Sequence, residues 1–207
     1  MTFCKCISRL SMSAKKLTLL VFIISMSYVI LRYHFFGDIP LSDIPAFLLN
    51  KALAYSGLLL LGFAGLQSRS SKRHKVGMAA AYFLLIHVIM TITLFSPEYF
   101  SKFFIEDSKR LTLFASLSLL CGTLAFVCLT HLWRVSINTR KGTDLSLVNG
   151  LGRLLLILVA GHTGLMGFKG WFSPETWPGR LPPLTLIAFV TASIFLWITH
   201  KRKHSNV

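Results

Sequence analysis

Six long apolar runs, separated by short charged or proline-containing stretches, set the pattern of the chain. They predict helices over Leu17–Phe36, Ala46–Leu66, Val76–Phe95, Leu111–Trp133, Leu147–Phe168 and Leu184–Thr199. At about 1.5 Å of rise per residue, runs near twenty residues long reach across a hydrocarbon layer about 30 Å thick. The expected fold is therefore all-α: a polytopic membrane protein built as a six-transmembrane-helix bundle. The turn GDIPLSDIP, with Asp38, Asp43 and two prolines, reverses the chain after the first helix. SPEYFSKFFIEDSKR mixes aromatic and charged residues, which predicts a short amphipathic segment at the membrane interface. The two tryptophans of WFSPETWPGRLPP fit an interfacial belt.

Composition agrees with this reading. The 207 residues are 54% hydrophobic and only 14% charged, too apolar for a soluble domain of that size. The net charge of +15 invites a nucleic-acid reading, but the basic residues stand at the ends of apolar runs and form no phosphate-binding face. Nucleic acid is excluded as a partner on that ground, and membrane lipid takes its place. Lys5, Arg9, Lys15 and Lys16 precede the first run, Arg69, Lys72, Arg73 and Lys75 follow the second, Arg134, Arg140 and Lys141 follow the fourth, and Lys201, Arg202 and Lys203 follow the sixth. Of the acids, Asp38, Asp43, Glu98, Glu106, Asp107 and Glu175 fall on the opposite side and only Asp144 does not. The bias of lysine and arginine predicts both termini in the cytoplasm of a bacterial inner-membrane protein. The first run is too long for a signal-peptide core and no small-residue cleavage site follows it, so it reads as an uncleaved helix. The predicted divisions are a basic cytoplasmic segment over 1–16, a membrane domain over 17–200 and a basic tail over 201–207. These leave no room for an attached flavin or nicotinamide-binding module.

Chemistry enters with two histidines. His87 lies in the middle of the third run and His162 in the fifth, at LILVAGHTGLMG. A histidine inside lipid is costly unless a hydrogen bond or a metal satisfies it. The third and fifth helices run in the same direction, and the two residues lie roughly 13 Å and 10 Å from the outer ends of their helices. Matching depth is what two axial ligands of one haem iron require. Gly161, Gly164 and Gly167 around His162, and Ala80 two turns below His87, would leave room for a porphyrin. Small residues at such spacing are equally how membrane helices pack, and either histidine can simply hydrogen-bond a neighbour. The four cysteines make no disulfide framework. Cys121 and Cys128 are seven apart on one helix face, as packing residues are, and the Cys4–Cys6 pair lacks further ligands nearby for a metal and could alternatively be acylated.

The segment KALAYSGLLLLGFAGLQ, the basic loop after it and KVGMAAAYFLLIHVIMTITL resemble the ferric reductase-like transmembrane domain. The likeness is strongest to the haem-binding membrane subunits (MsrQ) of bacterial periplasmic methionine sulfoxide reductase systems. Gly77, Tyr82 and Leu85 to His87 match the pattern around a haem ligand in that group. His162 matches the second of two histidines thirteen residues apart in its fifth helix, while the first position holds Asn149 here. The resemblance spans roughly residues 50–168. It implies one haem b held by His87 and His162, electrons from a quinol or a flavin reductase, and delivery to a periplasmic oxidoreductase or to ferric iron. Asn149 and Arg153 would line an inner-leaflet site for FMN or quinone, because asparagine is a poor haem ligand. His131 and His74 are the only substitutes nearby for a second haem; His34, His200 and His204 need no special role. Two rivals stand beside this reading: a non-catalytic membrane scaffold or assembly protein without haem, and a transporter, which is disfavoured by the absence of acids from the predicted spans.

Overall fold

The computed structural model describes residues 12–67, 70–106, 108–138 and 145–204. Lys5, Arg9, Cys4 and Cys6 at the N-terminus, Arg69, Asp107, and the basic turn with Arg140, Lys141 and Asp144 lie outside the described residues. Six helices long and apolar enough to cross a membrane follow one another, and no strand occurs among the described residues. The chain is an all-α, multi-pass membrane protein. An α-helix satisfies every backbone group within its own segment, which is the condition for crossing hydrocarbon.

Helix α1 (Ala14–Ile30) is capped by the Ser13 hydroxyl, which accepts from the Lys16 amide, and it ends in a π turn over Leu31–Phe35. After a 3-10 turn and a second π turn (Ile44–Leu48) comes α2 (Leu49–Leu66). Helices α3 (Ser70–Leu94) and α4 (Leu113–Asn138) follow, then α5 (Leu145–Gly167) and α6 (Leu184–His204). Three helices outrun their apolar stretches at the basic end of the bundle. Helix α3 starts six residues before Val76, so Lys72, Arg73, His74 and Lys75 ride on its first turns and are not a loop. No glycine or proline interrupts these polar flanks, and lysine and arginine are good helix formers, so helix propagates into them. The same holds for α4 past Trp133 and α6 past Thr199.

The expected amphipathic segment between α3 and α4 is a different object. It holds a 3-10 turn at Ser101–Phe103 and an antiparallel bridge from Phe104 to Leu111. The rings of Phe95, Phe100, Phe103 and Phe104 lie within 6.0 Å of one another, centroid to centroid, in four pairs. The aromatics pack on each other, and Phe103 is buried. Between α5 and α6 the tryptophans have partners of their own: Trp171 donates to the Thr185 hydroxyl and Trp177 to the Gly170 carbonyl.

Helix α2 is the most buried span and forms the centre of the bundle. It packs along α3, with α1 and α6 at its flanks, while α4 packs along α5 and α5 along α6. Contact is dense inside the hairpins α2–α3 and α4–α5 and sparse between them, and α3 and α5 are not a packed pair. Two glycines set the close approaches of α2. A Cβ at Gly57 would stand 2.6 Å from Leu84 Cγ, and one at Gly62 would collide with the Phe195 ring. The larger core occupies the basic half of the bundle, with Leu60, Val76, Ala80, Ala125, Leu129 and Leu155 among its members. A smaller one, around Val29, Phe47, Leu48, Ala52 and Leu184, closes the loop-rich end.

Candidate functional site

His87 sits on α3 seven residues before its C-terminus, and His162 on α5 five residues before its own, about 10 Å and 8 Å of helix rise respectively. Each residue thus lies within about two turns of the same end of its helix. The two imidazoles are within electrostatic reach of each other although their helices are not packed together. Both residues are partly buried.

Each ring is held by its Nδ1. His87 Nδ1 lies 2.6 Å from the Asn50 Oδ1, and Asn50 donates through Nδ2 to the Thr91 hydroxyl at 3.0 Å. With its amide nitrogen so engaged, Asn50 presents an acceptor to His87, and the ring proton is on Nδ1. Thr91, one turn along α3, stands 3.3 Å from the same nitrogen. His162 Nδ1 lies 2.8 Å from the backbone carbonyl of Ser118 on α4. A carbonyl only accepts, so here too Nδ1 carries the proton. The Ser118 hydroxyl donates back to the His162 carbonyl at 2.9 Å and touches Nδ1 at 3.1 Å. Asn50 and Ser118 are both buried, 3% and 0% exposed. Both histidines thus keep an unprotonated Nε2, and neither Nε2 has a hydrogen-bond partner among the described residues. That tautomer, fixed through the far nitrogen, is the one a metal-ligating imidazole adopts.

Gly122 makes the His162 contact possible. It lies four residues after Ser118, where a side chain would cover the Ser118 carbonyl, and a Cβ there would stand 3.0 Å from His162 Nδ1. Asn50, Thr91, Ser118 and Gly122 are the site residues that sequence reasoning missed. The only trace of them in the sequence is an asparagine and a serine within apolar runs, which does not say what they face.

The small residues around the histidines do not serve as expected. A Cβ at Gly161 would meet Cys121 Sγ at 3.3 Å, Gly164 faces Phe189, and Gly167 is pressed against Thr185 and Trp171. Ala80 is wholly buried in the larger core. These positions pack helices against one another and are not themselves the space for a porphyrin. Cys121 and Cys128 do share a face, turned to α5: Cys121 toward Gly161 and Cys128 with its thiol 3.4 Å from the Leu151 carbonyl.

At the basic end Asn149 and Arg153 come together with a residue from α3. Arg73 donates to the Asn149 Oδ1 at 2.6 Å, and Arg153 Nε donates to the Asn149 carbonyl at 3.3 Å. Asn149 lies thirteen residues, about 20 Å of helix, from His162. His74 is exposed and pairs with the Ser136 hydroxyl at 3.0 Å; His131 is exposed on α4. Neither has the buried, tautomer-fixed setting of His87 and His162.

The residues present fit a haem better than a bare ion. No group of three or more histidine, cysteine, aspartate or glutamate side chains is gathered for a metal among the described residues. Two Nε2 lone pairs supply two bonds only, so the remaining ligands of an iron would have to come from a tetrapyrrole. No family model, curated protein or solved structure matches the chain.

Proposed function

We propose that the chain is a b-type haem membrane protein that passes electrons across the bilayer, with His87 and His162 as the two axial ligands. One observation carries this reading: two imidazoles at similar distances from the ends of helices that do not pack together, each donating its Nδ1 proton to a buried acceptor and each with a free Nε2. Haem bound there would supply a reversible one-electron couple inside the membrane. The chain's own groups do the rest. Asn50 and the Ser118 carbonyl hold the rings in the ligating tautomer, Thr91 and the Ser118 hydroxyl fix their rotation, and the aromatic loop around Phe95 and Phe103 screens the loop-rich end from water.

At the basic end, Arg73, Asn149 and Arg153 form a cationic, hydrogen-bonding group suited to an electron donor, a flavin phosphate or a quinone carbonyl. The charge bias supports that end being cytoplasmic and the histidine end facing the periplasm of a bacterial inner membrane, with a periplasmic oxidoreductase or ferric iron as acceptor. The ferric reductase-like pattern of Gly77, Tyr82, Leu85 and His87 supports the same assignment. A second reading rests on the same hydrogen bonds: a scaffold in which Asn50 and Ser118 merely satisfy two packed histidines. Haem content decides between them. The full-length protein purified from cells supplied with haem should carry about one b-type haem per chain and show a sharpened spectrum on dithionite reduction; a colourless, folded protein contradicts the proposal. Reporter cysteines in the GDIPLSDIP turn and after Lys203 should label from opposite sides, and equal labelling would overturn the orientation.

A further inference from the structure

A second group of polar side chains lies at the loop-rich end, beyond the histidines, and the electron-transfer reading does not use it. Arg32 belongs to the π turn that closes α1 and is 5% exposed. Its Nε donates to the Pro182 carbonyl at 2.8 Å, an acceptor shared with the Tyr28 hydroxyl at 2.6 Å. The two terminal nitrogens of the guanidinium make no hydrogen bond among the described residues. Lys51, next to Asn50 on α2, has its ammonium 4.1 Å from the Phe47 ring centroid and 5.0 Å from that of Tyr33. Arg32 also lies over Tyr33, at 4.9 Å. One aromatic ring therefore receives both cations. Lys102 of the aromatic loop is within electrostatic reach of Lys51, as Arg32 is. No carboxylate pairs with Arg32 or Lys51 among the described residues.

Cations gathered at a partly desolvated site repel one another, and cation–π contacts of about 0.5–2 kcal/mol each do not cancel that repulsion. A planar guanidinium edge with free N–H groups beside an ammonium is the donor set that an oxyanion takes, bidentate on one side and as a point charge on the other. Lys102 also lines an open groove of about 580 Å3 at the loop-rich surface, together with Pro97, Phe104, Glu106 and Lys109.

We propose that Arg32 and Lys51, with Lys102 at the entrance, form an oxyanion-binding site at the loop-rich end of the bundle, for a carboxylate or phosphate group. Tyr33 and Phe47 form its floor, and the Arg32–Pro182 bond anchors it to the start of α6. Two sources carry such a group to this depth: the headgroup of an anionic phospholipid, and the carboxylates of a tetrapyrrole seated on the neighbouring His87.

The test uses the purified full-length chain and its Lys51→Gln and Lys51→Arg variants, with circular dichroism and melting temperature confirming that all three are folded. Native mass spectrometry from detergent supplemented with phosphatidylglycerol or phosphatidylcholine reads the lipid arm. Titration with haem and with haem dimethyl ester, which lacks the carboxylates, reads the other. Retention of phosphatidylglycerol over phosphatidylcholine that falls about fivefold in Lys51→Gln and returns in Lys51→Arg assigns the site to a lipid phosphate. A preference for haem over its dimethyl ester that is lost in Lys51→Gln and kept in Lys51→Arg assigns it to a tetrapyrrole carboxylate. Should the chain bind no haem at all, the electron-transfer reading fails while the lipid arm still decides this site. If Lys51→Gln matches the parent for every probe that binds, the oxyanion site is wrong.

Discussion

His87 and His162 meet the same requirement by different means. His87 is held by a side chain, the Asn50 amide, which in turn depends on Thr91 for its orientation. His162 is held by a main-chain carbonyl, reached only because Gly122 leaves the surface of α4 bare. A side-chain acceptor can be removed by one substitution, and its loss leaves the buried imidazole proton unsatisfied. A carbonyl cannot be removed; it can only be covered. The two halves of the site should therefore fail in different ways: the His87 half by deletion of its partner, the His162 half by addition of bulk.

The largest effect should come from bulk. Gly122→Val places a branched side chain against a ring whose Nδ1 would be only 3.0 Å from the new Cβ, so His162 must swing off the Ser118 carbonyl. We expect haem content of the purified variant to fall about tenfold or more, while Gly150→Val, at a glycine with nothing within 4 Å, leaves it unchanged. Equal haem content in the two variants would break the comparison. Deletion should come next. Asn50→Leu removes the acceptor of His87 and frees the ring to adopt the other tautomer. Loss of such an outer partner weakens metal ligation by about 10-fold to 100-fold, so haem transfer to apomyoglobin should quicken by about that factor.

Ser118→Ala leaves the carbonyl in place and deletes only the hydroxyl that bridges to the His162 carbonyl. The expected cost is about 1 kcal/mol in thermal stability, with the spectrum retained. A collapse of haem binding in Ser118→Ala would mean that the hydroxyl, not the backbone, fixes His162. The smallest effects belong to the exposed histidines: His131→Ala and His74→Ala should each leave the absorbance of the parent intact. A partial loss in either would bring in a second haem.

Much of the frame could be read from the chain. Six apolar runs bounded by charge determine six spans, because length and hydropathy are the whole of that requirement. The two histidines could be singled out for the same reason, since a titratable residue inside an apolar run has few uses. What holds them could not. Asn50 stands beside Lys51 near the start of α2 and looks like part of a polar flank until the fold aims it at a residue 37 positions away. Gly122 is one glycine among fourteen, and nothing local marks it as the one facing His162. Gly161, Gly164 and Gly167 misled in the opposite direction: three small residues around a histidine suggest room for a cofactor, yet each is filled by α4, α6 or Trp171. Periodicity shows which residues share a face, not what that face meets.

The central claim is that His87 and His162 bind one iron from opposite sides. Low-temperature electron paramagnetic resonance of the oxidised full-length protein, beside His87→Ala and His162→Ala, tests it most directly. The account predicts a low-spin signal in the parent and its loss in each variant, either to a high-spin five-coordinate signal or to a protein without haem. A low-spin signal that persists in either single variant would contradict it.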